Sequence, residues 1–225
     1  GELNWMHNNS LFSARSFFQV GSVQPARTND YGFNVGTPLW RGASLTAGGS
    51  QRKVRGQVNG NVLILTPEER TPLATDPALR AYVQRILDQY PKMAPNRTDI
   101  SPRALNINAP QSIDNDRTNL GVDQIVGQHD RISLRYGATL QKVEAFQFVG
   151  GQNPDTRTKN HTARVSWNRQ WSPNTITDFT VAFDRTGTMI IPDETSLERF
   201  FPMSGAFQNV GADQWTPIDR AQNDF

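Results

Sequence analysis

Apolar and polar residues alternate one by one along several stretches of the chain. In residues 131–141 one set of alternate positions is apolar and the intervening set is polar or glycine; the apolar positions are Ile132, Leu134, Tyr136, Ala138 and Leu140. A period of two predicts a β-strand with one apolar and one polar face. The same pattern recurs in residues 162–171 and 175–185, and more weakly at Leu3/Trp5, Tyr31/Phe33/Val35, Ala43/Leu45/Ala47 and Leu120/Val122. The pattern therefore predicts about seven strands.

The connections between these strands alternate between short and long. Gly127–Asp130 and Ser172–Thr175 have the length and composition of tight hairpin turns, and residues 37–42 form a slightly longer turn. Residues 7–30, 53–116, 147–157 and everything after Gly187 are expected to be long polar connections. Outer-membrane barrels combine short turns at the periplasmic end with long extracellular loops. We therefore expect the short turns at one end of the sheet and the long connections at the other.

One helix is predicted inside the longest connection. Thr75 or Asp76 can cap its N-terminus, Pro77 suits the first helical position, and Pro91 ends the pattern. Apolar residues recur between them at helical spacing: Leu79, Tyr82, Val83, Ile86, Leu87 and Tyr90. The expected fold is all-β: an antiparallel up-and-down meander, part of a transmembrane β-barrel, with one short helix in a long extracellular loop.

Composition excludes several classes of function. The 23 Lys and Arg against 21 Asp and Glu give a net charge of only +2, which offers no reason to expect nucleic acid as a partner. The absence of cysteine removes disulfides, thiolate metal sites and a cysteine nucleophile. The longest aliphatic run, residues 62–65, is far shorter than the roughly 20 residues of a membrane-spanning helix.

No catalytic, cofactor-binding or metal-binding residue is predicted, so we do not expect an enzyme. The histidines, His7, His129 and His161, have no second ligand at a metal-binding spacing, and His129–Asp130 fits a tight turn. Glu68 and Glu69 are adjacent and so do not share a face. The glycine pairs 48–49 and 150–151 lack the Lys-Ser/Thr of a phosphate-binding loop.

Charged residues on the predicted strands leave two architectures open. Arg135, Arg164, Asp178 and Asp184 fall on the polar faces, where they would meet water in a soluble sandwich or line the lumen of a barrel. Trp40, Trp167 and Trp171 lie near the predicted turns. They fit the aromatic girdle of a membrane protein or the core of a soluble one.

An ordered series of motifs resembles the start of the barrel in TonB-dependent outer-membrane receptors of the Oar-like group, which carry an N-terminal carboxypeptidase-regulatory-like domain. The motifs are GELNW at residues 1–5, FSARSFF at 12–18, NDYGFNVGTPL at 29–39, TPEER at 66–70, YP at 90–91 with PN at 95–96, and HDRISLRY at 129–136. Thr37 stands where the family usually has a second glycine, and residues 43–45 are less aromatic than its pattern. The resemblance spans roughly residues 1–190.

The resemblance implies a 22-stranded barrel, plugged by an N-terminal domain and driven by the inner-membrane TonB complex. Residues 1–225 would then be a partial barrel domain of a transporter for a scarce or bulky ligand, located in the outer membrane of a Gram-negative bacterium. Its partners would be outer-membrane lipid, its own plug and remaining strands, the TonB complex and an unidentified ligand. The alternative function is a soluble β-rich carbohydrate-binding module whose aromatic residues stack on sugars.

Overall fold

The chain folds into one antiparallel sheet in which every strand pairs with the next along the sequence. The computed structural model describes residues 1–14, 25–194, 196–197, 199–203, 205, 207–212 and 216–224. The strands are β1 (Glu2–Asn9), β2 (Arg27–Pro38), β3 (Ala43–Leu63), β4 (Ala104–Val126), β5 (Asp130–Glu144), β6 (Asp155–Ser172), β7 (Thr175–Ile191) and β8 (Ile218–Asp224). The predicted up-and-down meander is confirmed. Residues 15–18 of the resemblance motif lie outside the described residues.

The predicted number of strands was wrong, because the structure describes eight. β8 was missed because its sequence, IDRAQND, has a single large apolar residue and no alternation. It nevertheless pairs with β7 over seven residues, from Ile190↔Ile218 to Asp184↔Asp224.

The long connections are shorter than predicted because the strands extend into them. β3 continues to Leu63 and β4 begins at Ala104, so much of the predicted connection 53–116 is paired strand. The extension is held by polar cross-strand pairs: Arg55 binds Asp114 at 2.6 Å, and Asn59 donates to the side chains of Asn106 and Asn108. The opposite face carries alternate apolar residues, although two glycines and Gln111 interrupt the pattern: Val54, Val58, Val62, Leu105, Ile107, Ala109 and Ile113. Likewise, β1 extends to Asn9, β2 begins at Arg27, β6 begins at Asp155 and β7 extends past Gly187.

The short turns lie together at one end of the sheet, as predicted. Residues 39–42, 127–129 and 173–174 join β2 to β3, β4 to β5 and β6 to β7, and the meander places them on the same side. Gly127 takes a positive φ of 65°, which glycine adopts without a steric penalty. The long connections after β1, β3, β5 and β7 lie at the opposite end.

The predicted helix is confirmed as α1 (Pro77–Leu87), inside the β3–β4 connection, but it ends before Tyr90, the last residue of the predicted pattern. The carboxylate of Asp76 caps it by accepting the backbone N–H of Leu79 at 2.8 Å, and Pro77 occupies the first turn. No helix among the described residues is long and apolar enough to cross a membrane.

Large buried apolar side chains are concentrated outside the main body of the sheet. They form one group, here called the loop cluster: Val62, Ile64, Leu65, Tyr90, Leu105, Val149, Leu197 and Val210. The loop cluster lies at the end of the long connections and joins three of them. The alternating strands, in contrast, leave large side chains exposed, including Leu134 at 47%, Val181 at 56% and Phe179 at 59%.

Candidate functional site: two sheet faces and a loop cluster

The register of the strands separates an apolar face from a polar face. Ile132, Trp167 and Phe179 align across β5, β6 and β7, and the next row on the same face contains Leu134, Val165 and Val181. Tyr136 and Phe183 follow in the third row. The predicted apolar face is therefore confirmed, since a slip of one residue would have exchanged the two faces.

The apolar residues form a band that runs obliquely to the strands. Val35 on β2 and Phe183 on β7 belong to the same row, which continues through Ala47, Leu120, Tyr136 and Ala163. On β2 the apolar positions extend from Val35 away from the short turns, whereas on β7 they extend from Phe183 towards them. Strands of a barrel are tilted, so a flat hydrocarbon layer crosses them obliquely in this way.

Aromatic residues lie at both borders of this band. At the short-turn border, the indole N–H groups of Trp40, Trp167 and Trp171 donate to Gln124, Asp130 and Thr177 at 2.7–3.0 Å. At the other border, Trp5 pairs with Tyr31 across β1 and β2. An indole with an apolar ring and a satisfied polar N–H suits the boundary between hydrocarbon and water.

The polar face carries the predicted charged residues. Arg135 lies directly opposite Arg164 on this face, whereas Asp178 and Asp184 lie at other rows of β7. Arg135 is neutralised by Asp123, with 2.6 Å between Nη2 and Oδ2, while Arg164 has no ion-pair partner among the described residues. With Thr46, Asn119 and Thr162, the side chains of Arg135, Arg164 and Asp184 line a cavity of about 450 Å³.

Asp123 organises the charges of the polar face, a role that sequence reasoning missed. Its side chain is 14% exposed, and it accepts from Arg131 at 3.1 Å and from Ser133 Oγ at 2.6 Å in addition to Arg135. The partners are 8 to 12 residues away along the chain and meet Asp123 only through the β4–β5 register. The alternation of residues around Asp123 predicts which face of the sheet it lies on. Its hydrogen-bond and ion-pair partners follow only from the pairing register of the strands.

Replacing Asp123 with Asn should lower the free energy of unfolding by about 1–2 kcal/mol, because three donors would lose a charged acceptor. The matched control is Asp178→Asn, since Asp178 on the same face accepts only a 3.4 Å bond from Thr180 within the described residues. Urea titration of the full-length protein in lipid vesicles, followed by tryptophan fluorescence, measures both. Equal effects of the two substitutions would contradict the assigned role of Asp123.

The other candidate residues from the sequence are not brought together. The His7 ring is hydrogen-bonded to Asn29 on β2, and the His161 ring to the Tyr136 hydroxyl on β5. His129 lies in a turn at the short-turn end of the sheet. Glu69 pairs with Arg103, which lowers the pKa of the Glu69 carboxyl, and the neighbouring Glu68 is exposed. Within the described part of the chain, no group of three or more His, Asp or Glu side chains is placed to hold a metal ion.

The loop cluster ties the long connections into one packed unit. The side chain of Tyr90, 1% exposed, donates its hydroxyl to the carbonyl of Gln208, which links the β3–β4 connection to the β7–β8 connection. Tyr82 of α1 packs edge-on against Phe201 at 5.6 Å between ring centres. A cavity of about 300 Å³ next to the cluster is lined by Gln152, Ser196, Phe200, Gln208 and Asn209, among others. The described parts of these connections therefore form one packed surface with a small cavity.

Packing of the loop cluster should depend on pH above 10. Burial raises the pKa of Tyr90 to about 12, from an ordinary value of 10. The raised pKa favours protonated Tyr90 in the folded state. The contribution of Tyr90 to folding stability is therefore complete below pH 10 and is lost as the pH rises towards 12. Subtilisin cleavage within residues 64–103 of the intact protein should accelerate over this range.

The control for this pH dependence is Tyr90→Phe. Below pH 10 it should cost about 1 kcal/mol, because the Gln208 carbonyl loses its donor. It should also remove the extra acceleration of cleavage between pH 10 and 12. The same acceleration in the Phe variant would show that Tyr90 is not the titrating group.

Comparison with known proteins agrees with this geometry. Residues 1–218 match the family described as an outer membrane beta barrel domain. Searches of curated proteins and of solved structures found no match. The tilted apolar band, its aromatic borders and the alternation of short and long connections are the features that such a barrel requires. The chain belongs to the outer membrane beta barrel domain family, which places it in the outer membrane of a Gram-negative bacterium.

Proposed function

We propose that residues 1–225 form part of the barrel wall of a TonB-dependent outer-membrane transporter of the Oar-like group. The observation that supports this most is the open sheet. Among the described residues, β1 pairs only with β2 and β8 only with β7, whereas a closed eight-stranded barrel would pair its first strand with its last. The complete barrel then includes strands beyond these eight, as a wide transporter barrel does.

The polar face would line the lumen of that barrel. Arg117, Arg164 and Asp184 have no ion-pair partner among the described residues, although Arg164 and Asp184 share one cavity wall. In a plugged barrel, such side chains contact the plug or the passing ligand. The Asp123 group, in which Arg131 and Arg135 share one carboxylate, would hold the wall itself.

The loop cluster would form the extracellular surface that captures a scarce or bulky ligand. Support comes from its position at the long-connection end and from its packing across three connections. A preformed surface binds with a smaller loss of conformational entropy than separate loops would. The TonB complex would supply the energy for transport through the plug.

The alternative function, a soluble carbohydrate-binding module, is set aside. It would need a second layer or water-compatible side chains over the apolar face, yet Val181 and Phe179 are more than half exposed there. Because the chain belongs to an outer-membrane family, membrane lipid would cover this apolar face.

Conductance of the full-length protein in planar bilayers tests the proposal. A plugged transporter should be silent at first and should open reversibly in urea concentrations that unfold the plug but spare the barrel. Co-purification with the periplasmic domain of TonB should accompany this behaviour. A permanently open channel that does not bind TonB would overturn the proposal and indicate a porin.

A further inference from the structure

A second charged surface lies on the apolar face, just beyond the hydrophobic band. On β7, Arg185 comes two residues after Phe183; on β6, Lys159 and Arg157 follow the band on the side away from the short turns. All three side chains are exposed. We call Arg157, Lys159 and Arg185 the basic patch.

The basic patch differs from the neighbouring strands because its charges are not compensated. On β3 and β4, at the same level of the sheet, Arg55 is bound to Asp114 by two hydrogen bonds at 2.6 and 3.0 Å. On β5, Lys142 pairs with Glu144 at 2.7 Å. The three residues of the basic patch have no hydrogen-bond or ion-pair partner among the described residues, although Arg157 lies directly opposite Lys142. Like charges in opposite positions repel, so an external anion would stabilise this surface.

The spacing of the basic patch suits phosphate groups. Arg157 and Lys159 are two residues apart on one strand, or roughly 7 Å, and Arg185 is diagonal to Lys159 at about 7–8 Å. Gly187 lies opposite Lys159, and a Cβ at that position would approach only backbone oxygens, at 3.9 Å or more. The patch therefore has an open position between its cations where an anionic group can enter.

The position of the basic patch along the membrane normal identifies the anion that binds to it. The patch lies on the long-connection side of the band, which is the extracellular side of an outer-membrane barrel. Since the same face meets lipid, the anions at this height are lipid headgroups of the outer leaflet. We propose that Arg157, Lys159 and Arg185 bind the phosphate groups of outer-leaflet glycolipids.

Native mass spectrometry of the full-length protein in non-ionic detergent, titrated with lipid A, tests this proposal. Diphosphoryl lipid A should bind at least about tenfold more tightly than fully dephosphorylated lipid A. The triple variant R157Q/K159Q/R185Q should lose this preference. The control R41Q/R80Q/R85Q, which removes the same charge from an exposed turn and an exposed helix, should keep it.

Heat-dependent gel migration should show that both triple variants are folded. The proposal is overturned if the patch variant keeps the preference, if both lipids bind wild type equally, or if inorganic phosphate at millimolar concentration displaces the lipid. The last result would identify a site for soluble anions. The inference needs only the outer-membrane location, so an open channel in the bilayer experiment would leave it unaffected.

Discussion

Residues 1–225 produced alone should aggregate in detergent-free buffer and become dispersed only when detergent covers the apolar face. Two features of the sheet cause this: β1 and β8 each leave one edge unpaired among the described residues, and large apolar side chains are exposed along the band between them. Bare edges and apolar patches beyond a few hundred Å² both promote association. Size-exclusion chromatography with light scattering, in buffer with and without detergent, measures the effect.

The detergent sample is the control for misfolding, because its circular dichroism should remain β-rich and its unfolding weakly cooperative. A monodisperse monomer in plain buffer with a sharp thermal transition would contradict the account. Such a result would mean that the described edges and apolar face are covered within the chain itself.

Val181→Arg should destabilise the full-length protein in lipid vesicles by about 2–4 kcal/mol, the range for a cation near the middle of a membrane-facing strand. Val181 lies in the row of Leu134 and Val165 and is 56% exposed, so a charged side chain there would enter hydrocarbon. Urea unfolding measured by tryptophan fluorescence gives the free energy.

The matched control is Thr180→Arg, one residue away on the polar face. Thr180 bonds Ser166 Oγ at 2.9 Å, so the substitution loses one hydrogen bond, worth about 1 kcal/mol, and places the new cation beside Asp178. A smaller effect at position 181 than at position 180 would mean that the two faces have been assigned the wrong way round.

The sequence predicts the membrane-crossing part of the sheet well because lipid imposes the pattern. On β5, β6 and β7 every second residue has to be apolar, so alternation revealed the strands, their faces and their turns. The start of the helix was equally predictable, since Asp76 and Pro77 mark it by local chemistry, but the helix ends at Leu87, before Pro91. Both the alternation and the helix-end residues are signals carried by residues close to one another in the sequence.

Beyond the membrane these signals become weaker. The outer parts of β3 and β4 are stabilised by pairs such as Arg55 with Asp114, whose partners are 59 residues apart, and glycines interrupt the apolar alternation of the opposite face. β8 depends on the edge of β7, and the loop cluster depends on contacts such as Tyr90 with Gln208, 118 residues apart. The short aliphatic run at residues 62–65 was visible in the sequence, but its role in that cluster is set by these distant contacts.

The assignment of the two faces is the central claim, and spin labels on β5 test it most directly. The chain contains no cysteine, so single cysteines at positions 132–136 can be labelled one at a time in the full-length protein in lipid vesicles. Power-saturation EPR should show high oxygen accessibility at positions 132, 134 and 136, and high accessibility to a water-soluble nickel chelate at 133 and 135. Uniform accessibility along the strand, or the opposite alternation, would contradict the account.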